Sequence, residues 1–387
     1  MILLKNVTLD GRDCNILVDG NRFKDIDAPA NVEGAEVVDC SDLAIVPAFY
    51  NAHAHNAMTL LRGYADDIAL STWLNDYIWP YEAKMTAGDI RRGSQIAADE
   101  MIRTGSVAMN DMYFDIEETI DVMDKSGLRA LIGITVMDNH SKAESEAKRH
   151  FVREWKDPTG GRIKIAMAPH SVYTVSTENL KNTAAFARDN GLKLHIHLCE
   201  TAEEVSNCIK TYGTTPVRYL ESIGFLGSDV IAAHCVHVDK EEWDILAKRG
   251  VTVVNCPCSN MKIASGRFPY EMAIASGTKV SLGTDGCCSN NNLDMREEMK
   301  FAALLAKVVG DPTLLPAKDV LDWATRGGAE AMGFDAGVIA AGKLADFILL
   351  NKKAGAMCPC HNIISNWVYA ADSAVIDSVY CDGKRLG

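Results

Sequence analysis

The sequence contains no apolar run long enough to cross a bilayer and no N-terminal segment patterned as a signal peptide. Its longest apolar stretches, such as residues 130–136, fall far short of the roughly 20 residues that a membrane helix needs. The sequence also has no basic cluster. It contains 39 Lys and Arg residues against 52 Asp and Glu residues, which gives a formal charge of −13. Such a charge repels polyanions, so nucleic acid and anionic membranes are poor partners. We expect a cytoplasmic protein.

The cysteines do not follow the pattern of a disulfide scaffold. There are 12 of them in 387 residues, without a repeated spacing. The Cys256-Pro-Cys258 and Cys358-Pro-Cys360 pairs are spaced more closely than the cysteine pairs of zinc sites, which two to four residues usually separate. We therefore expect reduced cysteines with a structural role.

Helical and strand patterns alternate from about residue 87, which is typical of βα units around a parallel sheet. Asp239, with Glu242 three residues later, predicts a capped helix that ends at Gly250 before a strand. Thr201 and Glu204 form a second such pair. Many βα units of this kind favour a barrel.

The two ends of the chain differ from its middle, because they carry short β patterns and no convincing helix. With 48% hydrophobic residues, a chain of this length can form one large core and a smaller companion. We predict an α/β fold: a (β/α)8 TIM barrel over residues 47–343, and a small β-sandwich formed by residues 1–46 and 344–387.

Two His-x-His pairs stand where predicted strands end. His53 and His55 follow an apolar strand, and His195 and His197 lie on another. Side chains at i and i+2 of a strand project to the same side, which is the geometry that metal ligands need. A single histidine is more often a hydrogen-bonded core residue, but two such pairs favour a metal site.

His234 and Asp285 each end a further predicted strand. Because all strands of a parallel barrel open on one face at their carboxyl ends, these two residues can converge with His53, His55 and His197. Nitrogen and carboxylate ligands suit one Zn²⁺ per chain, with Fe²⁺ or Mn²⁺ as alternatives. An open coordination position would hold a water molecule of lowered pKa.

Glu200 follows His197 by three residues, where the predicted strand gives way to a loop. Alone, it is as readily interpreted as a solvated charge at the start of a helix. Beside a metal, it would instead be a proton donor.

Taken together, these motifs resemble the amidohydrolase superfamily, and within it the 5′-methylthioadenosine/S-adenosylhomocysteine deaminases and related aminohydrolases. The matching segments extend over nearly the whole chain. They are residues 47–55, 58–67, 78–84, 168–171, 195–201, 233–237, 259–260, 283–286, 289–291 and 342–346.

The resemblance implies a metal centre and three catalytic side chains. The implied metal ligands are His53, His55, His197 and Asp285. Glu200 would protonate the substrate ring, and His234 would orient the attacking water or the tetrahedral intermediate. Asp285 would also act as the general base for that water.

Further roles follow from the same resemblance. Glu82 matches a carboxylate that binds ribose hydroxyls, Trp73 lies in a segment that covers the substrate, and His170 matches a substrate-contacting histidine. His195 and His237 would have secondary roles.

Three positions depart from the family pattern. Ala48 and Ala54 replace the usual glycine and threonine beside the first ligands, but they remove no donor atom. Asn255 stands where a histidine is common, and we expect it to alter the floor of the pocket.

The implied reaction is the metal-dependent hydrolytic deamination of an adenine nucleoside, with water attacking C6 and ammonia leaving. 5′-Methylthioadenosine, adenosine and S-adenosylhomocysteine are the candidate substrates. A small purine is the expected binding partner, and the sequence leaves open whether the protein forms a homo-oligomer.

Two alternatives to this function are left open. One is a reaction on another N-heteroaromatic ring, as in guanine or pterin deaminases and triazine hydrolases, and the other is a catalytically silent metal-binding barrel. Glu82 favours a nucleoside, and the presence of Glu200 and His234 argues against the silent barrel.

The resemblance also implies that the segment after the third predicted barrel strand contacts the 5′ substituent of the substrate, with arginine side chains where S-adenosylhomocysteine is accepted. Residues 130–139 contain no arginine that could pair with the carboxylate of S-adenosylhomocysteine. The cations nearby are Lys142, Lys148, Arg149 and Arg153, and we expect the last three to form solvated ion pairs on a helix. The sequence thus predicts a preference for a short or neutral 5′ group.

Overall fold

Seventeen strands are present in the computed structural model, which describes residues 1–68 and 72–387. In chain order they are β1 (Ile2–Leu9), β2 (Arg12–Asp19), β3 (Arg22–Asp25), β4 (Glu36–Asp39), β5 (Leu43–Pro47), β6 (Phe49–His55), β7 (Ser106–Tyr113), β8 (Arg129–Val136), β9 (Ile163–Pro169), β10 (Lys193–Leu198), β11 (Val230–His234), β12 (Thr252–Asn255), β13 (Lys279–Leu282), β14 (Asp285–Gly286), β15 (Phe347–Asn351), β16 (Ile376–Cys381) and β17 (Lys384–Leu386).

Strands β6 to β14 form the parallel barrel, in which each strand from β6 to β12 pairs with the next along the chain. The eighth barrel strand is interrupted, so that β13 pairs with β12 whereas β14 pairs with β6 and closes the ring. At the break lies Gly283, where an added Cβ would stand 2.8 Å from the backbone nitrogen of His53. Only glycine therefore fits there, and the close approach sets Asp285 beside Ala54.

Helices follow the barrel strands and pack around them. They are α1 (Trp79–Glu82), α2 (Ala87–Thr104), α3 (Ile116–Ser126), α4 (Lys142–Glu154), α5 (Thr177–Asp189), α6 (Ala202–Tyr212), α7 (Pro216–Ser222), α8 (Lys240–Arg249), α9 (Pro257–Lys262), α10 (Tyr270–Ser276), α11 (Met295–Lys307), α12 (Ala317–Asp322), α13 (Gly328–Met332) and α14 (Ile363–Tyr369). The predicted capping pair of Asp239 and Glu242 begins α8, and left-handed Gly250 ends it. None of the described helices is both long and apolar enough to cross a membrane.

The strands from the two chain ends share one mixed sheet, in the order β17-β16-β15-β5-β1-β2-β3, with β4 paired to β1. Antiparallel pairing of β15 with β5 joins the C-terminal strands to the N-terminal ones. The sheet buries its own apolar cluster, which includes Ile16, Phe23, Phe347 and Tyr380. The structure thus confirms the predicted fold class, a barrel with a smaller β unit, while the exact boundaries at residues 46/47 and 343/344 stay a prediction.

A buried ion pair connects this sheet to the barrel. Arg129, at the start of β8, donates to Asp346 at 2.7 Å and to Asp382 at 2.7 Å, and its side chain is 2% exposed. Removal of one partner from such a pair typically costs about 3–5 kcal/mol, because the other charge stays buried. Arg129 therefore supports the junction of the two units, at the opposite end of β8 from the strand ends that carry the histidines.

Candidate metal centre and active site

The predicted metal ligands come together at the carboxyl ends of the barrel strands. Asp285 Oδ1 lies 3.4 Å from His53 Nε2 and 3.2 Å from His55 Nε2. His197 Nε2 lies 3.3 Å from His55 Nε2. All four side chains are at least nine-tenths buried. Their nitrogen and oxygen atoms therefore face one small space.

The other ring nitrogen of each histidine has its own partner. His53 Nδ1 lies 2.8 Å from His195 Nε2, His55 Nδ1 lies 2.7 Å from the Met112 carbonyl oxygen, and His197 Nδ1 lies 2.8 Å from the His170 carbonyl oxygen. Hydrogen bonds of this kind fix the tautomer and the orientation of a metal-binding imidazole. They leave Nε2 of His53 and His55 facing Asp285, and Nε2 of His197 facing His55.

Asp285 is held by the polypeptide around it. Its Oδ2 accepts hydrogen bonds from Ser259 at 2.6 Å and Ser289 at 2.8 Å, and its Oδ1 accepts one from the Gly286 N–H at 2.8 Å. Buried Glu298 supports both serine-bearing segments, because it accepts hydrogen bonds from the Cys258 N–H and from the Asn290 side chain. The carboxylate is thus oriented before any ligand binds.

The chemistry of this donor set fits a divalent metal. His53 Nε2 is buried and has no hydrogen-bond partner, although it faces Asp285. Burial lowers the pKa of His53 to about 4, so that its ring is neutral at pH 7, as a ligand must be. Three imidazoles and one carboxylate are a donor set that first-row divalent ions accept.

Glu200 and His234 lie side by side next to this cluster. His234 Nε2 is 3.9 Å from Glu200 Oε2, and His234 Nδ1 is 3.0 Å from Asn260 Oδ1. Burial raises the pKa of Glu200, which favours its protonated form. Glu200 lines the same pocket as His197, His234 and Asp285.

A cavity extends from the ligand cluster to the protein surface. Its lining contains the predicted residues Trp73, Glu82, His170, His197, Glu200, His234 and Asp285. Trp73 begins a π-helical turn, Trp73–Ile78, and is buried, while Glu82 ends α1. All of the predicted substrate contacts therefore lie in one pocket with the metal cluster.

Tyr113 is a pocket residue that the sequence analysis missed. Its hydroxyl donates to Glu82 Oε1 at 2.6 Å, at the end of β7. The sequence could have indicated Tyr113 as an aromatic residue at the carboxyl end of a barrel strand, but only the structure shows that its partner is Glu82. Burial raises the pKa of Glu82, and the Tyr113 hydrogen bond opposes that rise.

Two minor predictions concern residues around the cluster. His195 does lie behind the ligands, against His53, whereas His237 bonds the Ser265 carbonyl oxygen at 2.7 Å. Asn255 is not itself among the residues that line the cavity, so its expected effect on the pocket floor stays a prediction. It donates instead to the Tyr270 hydroxyl and accepts from Asn260, so it acts on His234 only indirectly.

The expected solvated ion pairing of Lys148, Arg149 and Arg153 on α4 was wrong. Lys148 donates to the Thr135 carbonyl oxygen at 2.8 Å and lies 3.0 Å from His140 Nδ1. Arg149 and Arg153 lie over the Phe186 ring. The helix turns these cations toward neighbouring elements rather than toward its own glutamates.

Comparison with known proteins agrees with this geometry. The model of the amidohydrolase family matches residues 44–386. The chain belongs to the amidohydrolase family. This amidohydrolase is 44% identical to a 5′-deoxyadenosine deaminase of Methanothermobacter thermautotrophicus, over 96% of the chain and 88% of that protein. It is 38% identical to a 5-methylthioadenosine/S-adenosylhomocysteine deaminase of Haloarcula marismortui, over 100% of the chain and 90% of that protein.

Solved structures extend the comparison. A zinc-bound adenosine deaminase from Xanthomonas campestris superposes on this amidohydrolase with a TM-score of 0.92 and 34% identity, over 99% of this chain and 92% of that one. Atrazine chlorohydrolase from Arthrobacter aurescens, at 23% identity and a TM-score of 0.91, covers 100% of this chain and 95% of its own. At that identity the second similarity concerns the fold alone.

Proposed function

We propose that this amidohydrolase removes the 6-amino group of an adenine nucleoside by metal-dependent hydrolysis and releases ammonia. The observation that carries the proposal is the arrangement in one pocket of a buried acid, Glu200, a metal-type donor set and the carboxylate of Glu82. The deaminase names of its relatives support the same reaction.

The metal that we propose is one Zn²⁺, held by His53, His55, His197 and Asp285. The zinc in the adenosine deaminase structure supports this choice. When bound, the ion would lower the pKa of a water molecule toward neutrality and so supply the nucleophile. The remaining steps belong to the side chains of the protein.

Glu200 would donate its proton to the ring nitrogen next to C6. Attack on that carbon places negative charge on this nitrogen, so a neutral carboxylic acid in contact with it lowers the barrier. Burial in the pocket raises the pKa of Glu200, which favours the protonated form that this step needs. A positioned general acid of this kind typically contributes about 10²–10⁴-fold to the rate.

Asp285 and His234 would handle the attacking water. The Asp285 carboxylate would accept one proton from the water and pass it to the departing amino group, and the remaining hydroxyl proton would return to Glu200, so that ammonia leaves and a 6-oxo group forms. His234 would orient the water through Nε2, because Asn260 holds its Nδ1. The hydrogen bonds from Ser259 and Ser289 keep Asp285 in place throughout.

Glu82 would accept hydrogen bonds from the 2′- and 3′-hydroxyls of the ribose. The Tyr113 hydroxyl already fixes Glu82 Oε1, so the carboxylate is oriented without the substrate. His170 would contact the purine, and Trp73 would cover it. A free base lacks the diol, and this contact would therefore distinguish nucleosides from bases.

A screen of ammonia release tests the proposal. The zinc-loaded protein is assayed with adenosine, 5′-deoxyadenosine, 5′-methylthioadenosine, S-adenosylhomocysteine, guanine and a pterin. We expect turnover of the adenine nucleosides and little or none of guanine and pterin. Turnover confined to guanine or pterin would contradict the proposal in favour of another heteroaromatic ring, and no turnover at all would favour the silent barrel.

A further inference from the structure

Glu204 departs from the role that its position in the sequence predicts. Thr201 begins α6 and accepts from the Glu204 N–H at 3.1 Å, which is half of a capping box. The other half is missing, because the Glu204 carboxylate does not return to the Thr201 N–H. In the complete box that begins α4, by contrast, Glu144 does return to the Ser141 N–H.

The Glu204 carboxylate binds the end of β10 instead. Its Oε1 accepts from the Cys199 N–H at 2.9 Å, and its Oε2 accepts from the Glu200 N–H at 2.8 Å. Two consecutive backbone donors are thereby held by one side chain. Hydrogen bonds to an ionised carboxylate are shorter and stronger than those between neutral groups.

The turn that these bonds hold is conformationally unfavourable. Cys199 has a φ of 51°, in the left-handed region that residues with a Cβ seldom occupy. Immediately after it, the Glu200 side chain enters the active-site pocket. The orientation of Glu200 therefore depends on a backbone conformation that needs outside support.

Glu204 has no evident structural reason of its own for being buried. It is 6% exposed, and no Lys, Arg or His pairs with it among the residues that the structure describes. Burial raises its pKa to about 7, against the effect of the two N–H donors. A buried carboxyl without a cation is unfavourable, so its location suggests a function in the turn.

We propose that Glu204 is a positioning residue that acts through Glu200: it holds the Cys199–Glu200 turn so that the Glu200 carboxyl reaches the substrate ring. The inference rests on the proposed function, since it gives Glu200 its catalytic part. It adds to the residues needed for the reaction one, Glu204, that would contact neither the metal nor the substrate.

The first test compares two glutamate-to-glutamine variants. Glu204→Gln can accept only one of the two N–H bonds, since its amide nitrogen is a donor. We expect kcat for 5′-deoxyadenosine to fall roughly 10–100-fold, as small misplacements of a catalytic group do, with KM and metal content nearly unchanged. Glu144→Gln, in the complete capping box of α4, serves as the matched control and should keep the wild-type kcat.

A double-mutant cycle separates positioning from a general structural effect. If Glu204 acts through Glu200, then Glu204→Gln should lower kcat little further once Glu200 is already glutamine. Equal losses in both backgrounds would overturn the proposal, as would a wild-type kcat for Glu204→Gln. An equally large loss for Glu144→Gln would do the same.

Crystal structures of the wild type and of Glu204→Gln provide a readout that does not depend on activity. We expect Cys199 to leave the left-handed region in the variant, and an unchanged turn would overturn the proposal. If the wild type released no ammonia from any nucleoside, the proposed function would fail, while this structural comparison would still decide the role of Glu204. Should Glu204→Gln not fold, Glu204→Asp, which is one methylene shorter, replaces it, and a wild-type kcat there would overturn the proposal.

Discussion

His234 Nε2 lies 3.9 Å from Glu200 Oε2, and both side chains face the space next to the metal-type ligands. Burial alone would lower the pKa of His234, but the carboxyl groups of Glu200 and Asp285 raise it. The Glu200 carboxyl and the His234 imidazole thus lie side by side at the carboxyl ends of the neighbouring strands β10 and β11, where both could reach one bound ring.

Replacement of Glu200 by glutamine should abolish most of the turnover and leave the metal in place. The amide keeps the shape of the carboxyl but cannot donate a proton to the ring, so we expect kcat to fall about 10²–10⁴-fold. Metal content and melting temperature should stay at wild-type values. Exposed Glu203 is the matched control, and Glu203→Gln should keep full activity. A near-normal kcat for Glu200→Gln would remove this residue from the mechanism.

The alkaline limb of the pH profile should report the same group. Glu200 acts in its protonated form, and burial raises its pKa. We therefore expect kcat to decrease as the pH rises through that pKa, and we expect this decrease to vanish from the residual activity of Glu200→Gln. A profile of kcat with an identical alkaline limb in both proteins would assign the limb to another group.

Glu82→Ala should lower kcat/KM for nucleosides much more than kcat/KM for free bases. The variant loses the acceptor for the ribose diol, so kcat/KM for adenosine should fall at least about 10-fold, whereas that for adenine should change little, because adenine has no sugar. Tyr113→Phe, which removes only the hydroxyl that orients Glu82, should give a smaller loss in the same direction. Equal losses on adenosine and adenine would contradict the ribose assignment.

The 5′ group should be accepted best when it is short and neutral. Lys148 is engaged by Thr135 and His140, and apolar Phe114 and Met137 line the pocket. We expect kcat/KM for 5′-deoxyadenosine to exceed that for S-adenosylhomocysteine, and Lys148→Met to leave the former unchanged. An equal or higher kcat/KM for S-adenosylhomocysteine would contradict this, and its loss in Lys148→Met would identify Lys148 as the carboxylate partner.

Glu298 should make the protein less stable as the pH rises. Burial raises its pKa from the ordinary 4.5 to about 8, so the folded state binds more protons than the unfolded state between these limits. The free energy of unfolding therefore decreases over that interval. We expect Glu298→Gln to reduce this decrease in denaturant titrations at about pH 5 and about pH 8. Exposed Glu241→Gln is the control, and an unchanged pH dependence in Glu298→Gln would contradict the account.

The convergence of the proposed metal ligands could be predicted from the sequence because these residues have a local signature. Two His-x-His pairs at strand ends, with Asp285 after a later strand, converge in any parallel barrel, and the structure places His55 and His197 next to each other. The partners that orient the pocket carry no such signature. Tyr113 and Glu204 lie on ordinary strand and helix patterns, and their roles depend on distances between elements that periodicity does not encode.

His53→Ala should lose the metal together with the activity. His53 Nε2 is a buried donor without another partner, so its removal leaves an incomplete ligand set. Elemental analysis should find about one equivalent of divalent metal in the wild type and far less in the variant, in keeping with a single site of this donor set. His150→Ala, at an exposed histidine, should retain both metal and turnover. Equal stoichiometric metal and equal activity in His53→Ala would exclude His53 as a ligand.

The central claim is tested most directly by analysing the products formed from 5′-deoxyadenosine in ¹⁸O-labelled water by the zinc-loaded protein. The account predicts one ammonia for each nucleoside consumed, and a 6-oxopurine nucleoside that carries one oxygen from the solvent with its sugar intact. No ammonia from protein of verified metal content, or a product that has lost its sugar and kept its amino group, would contradict it.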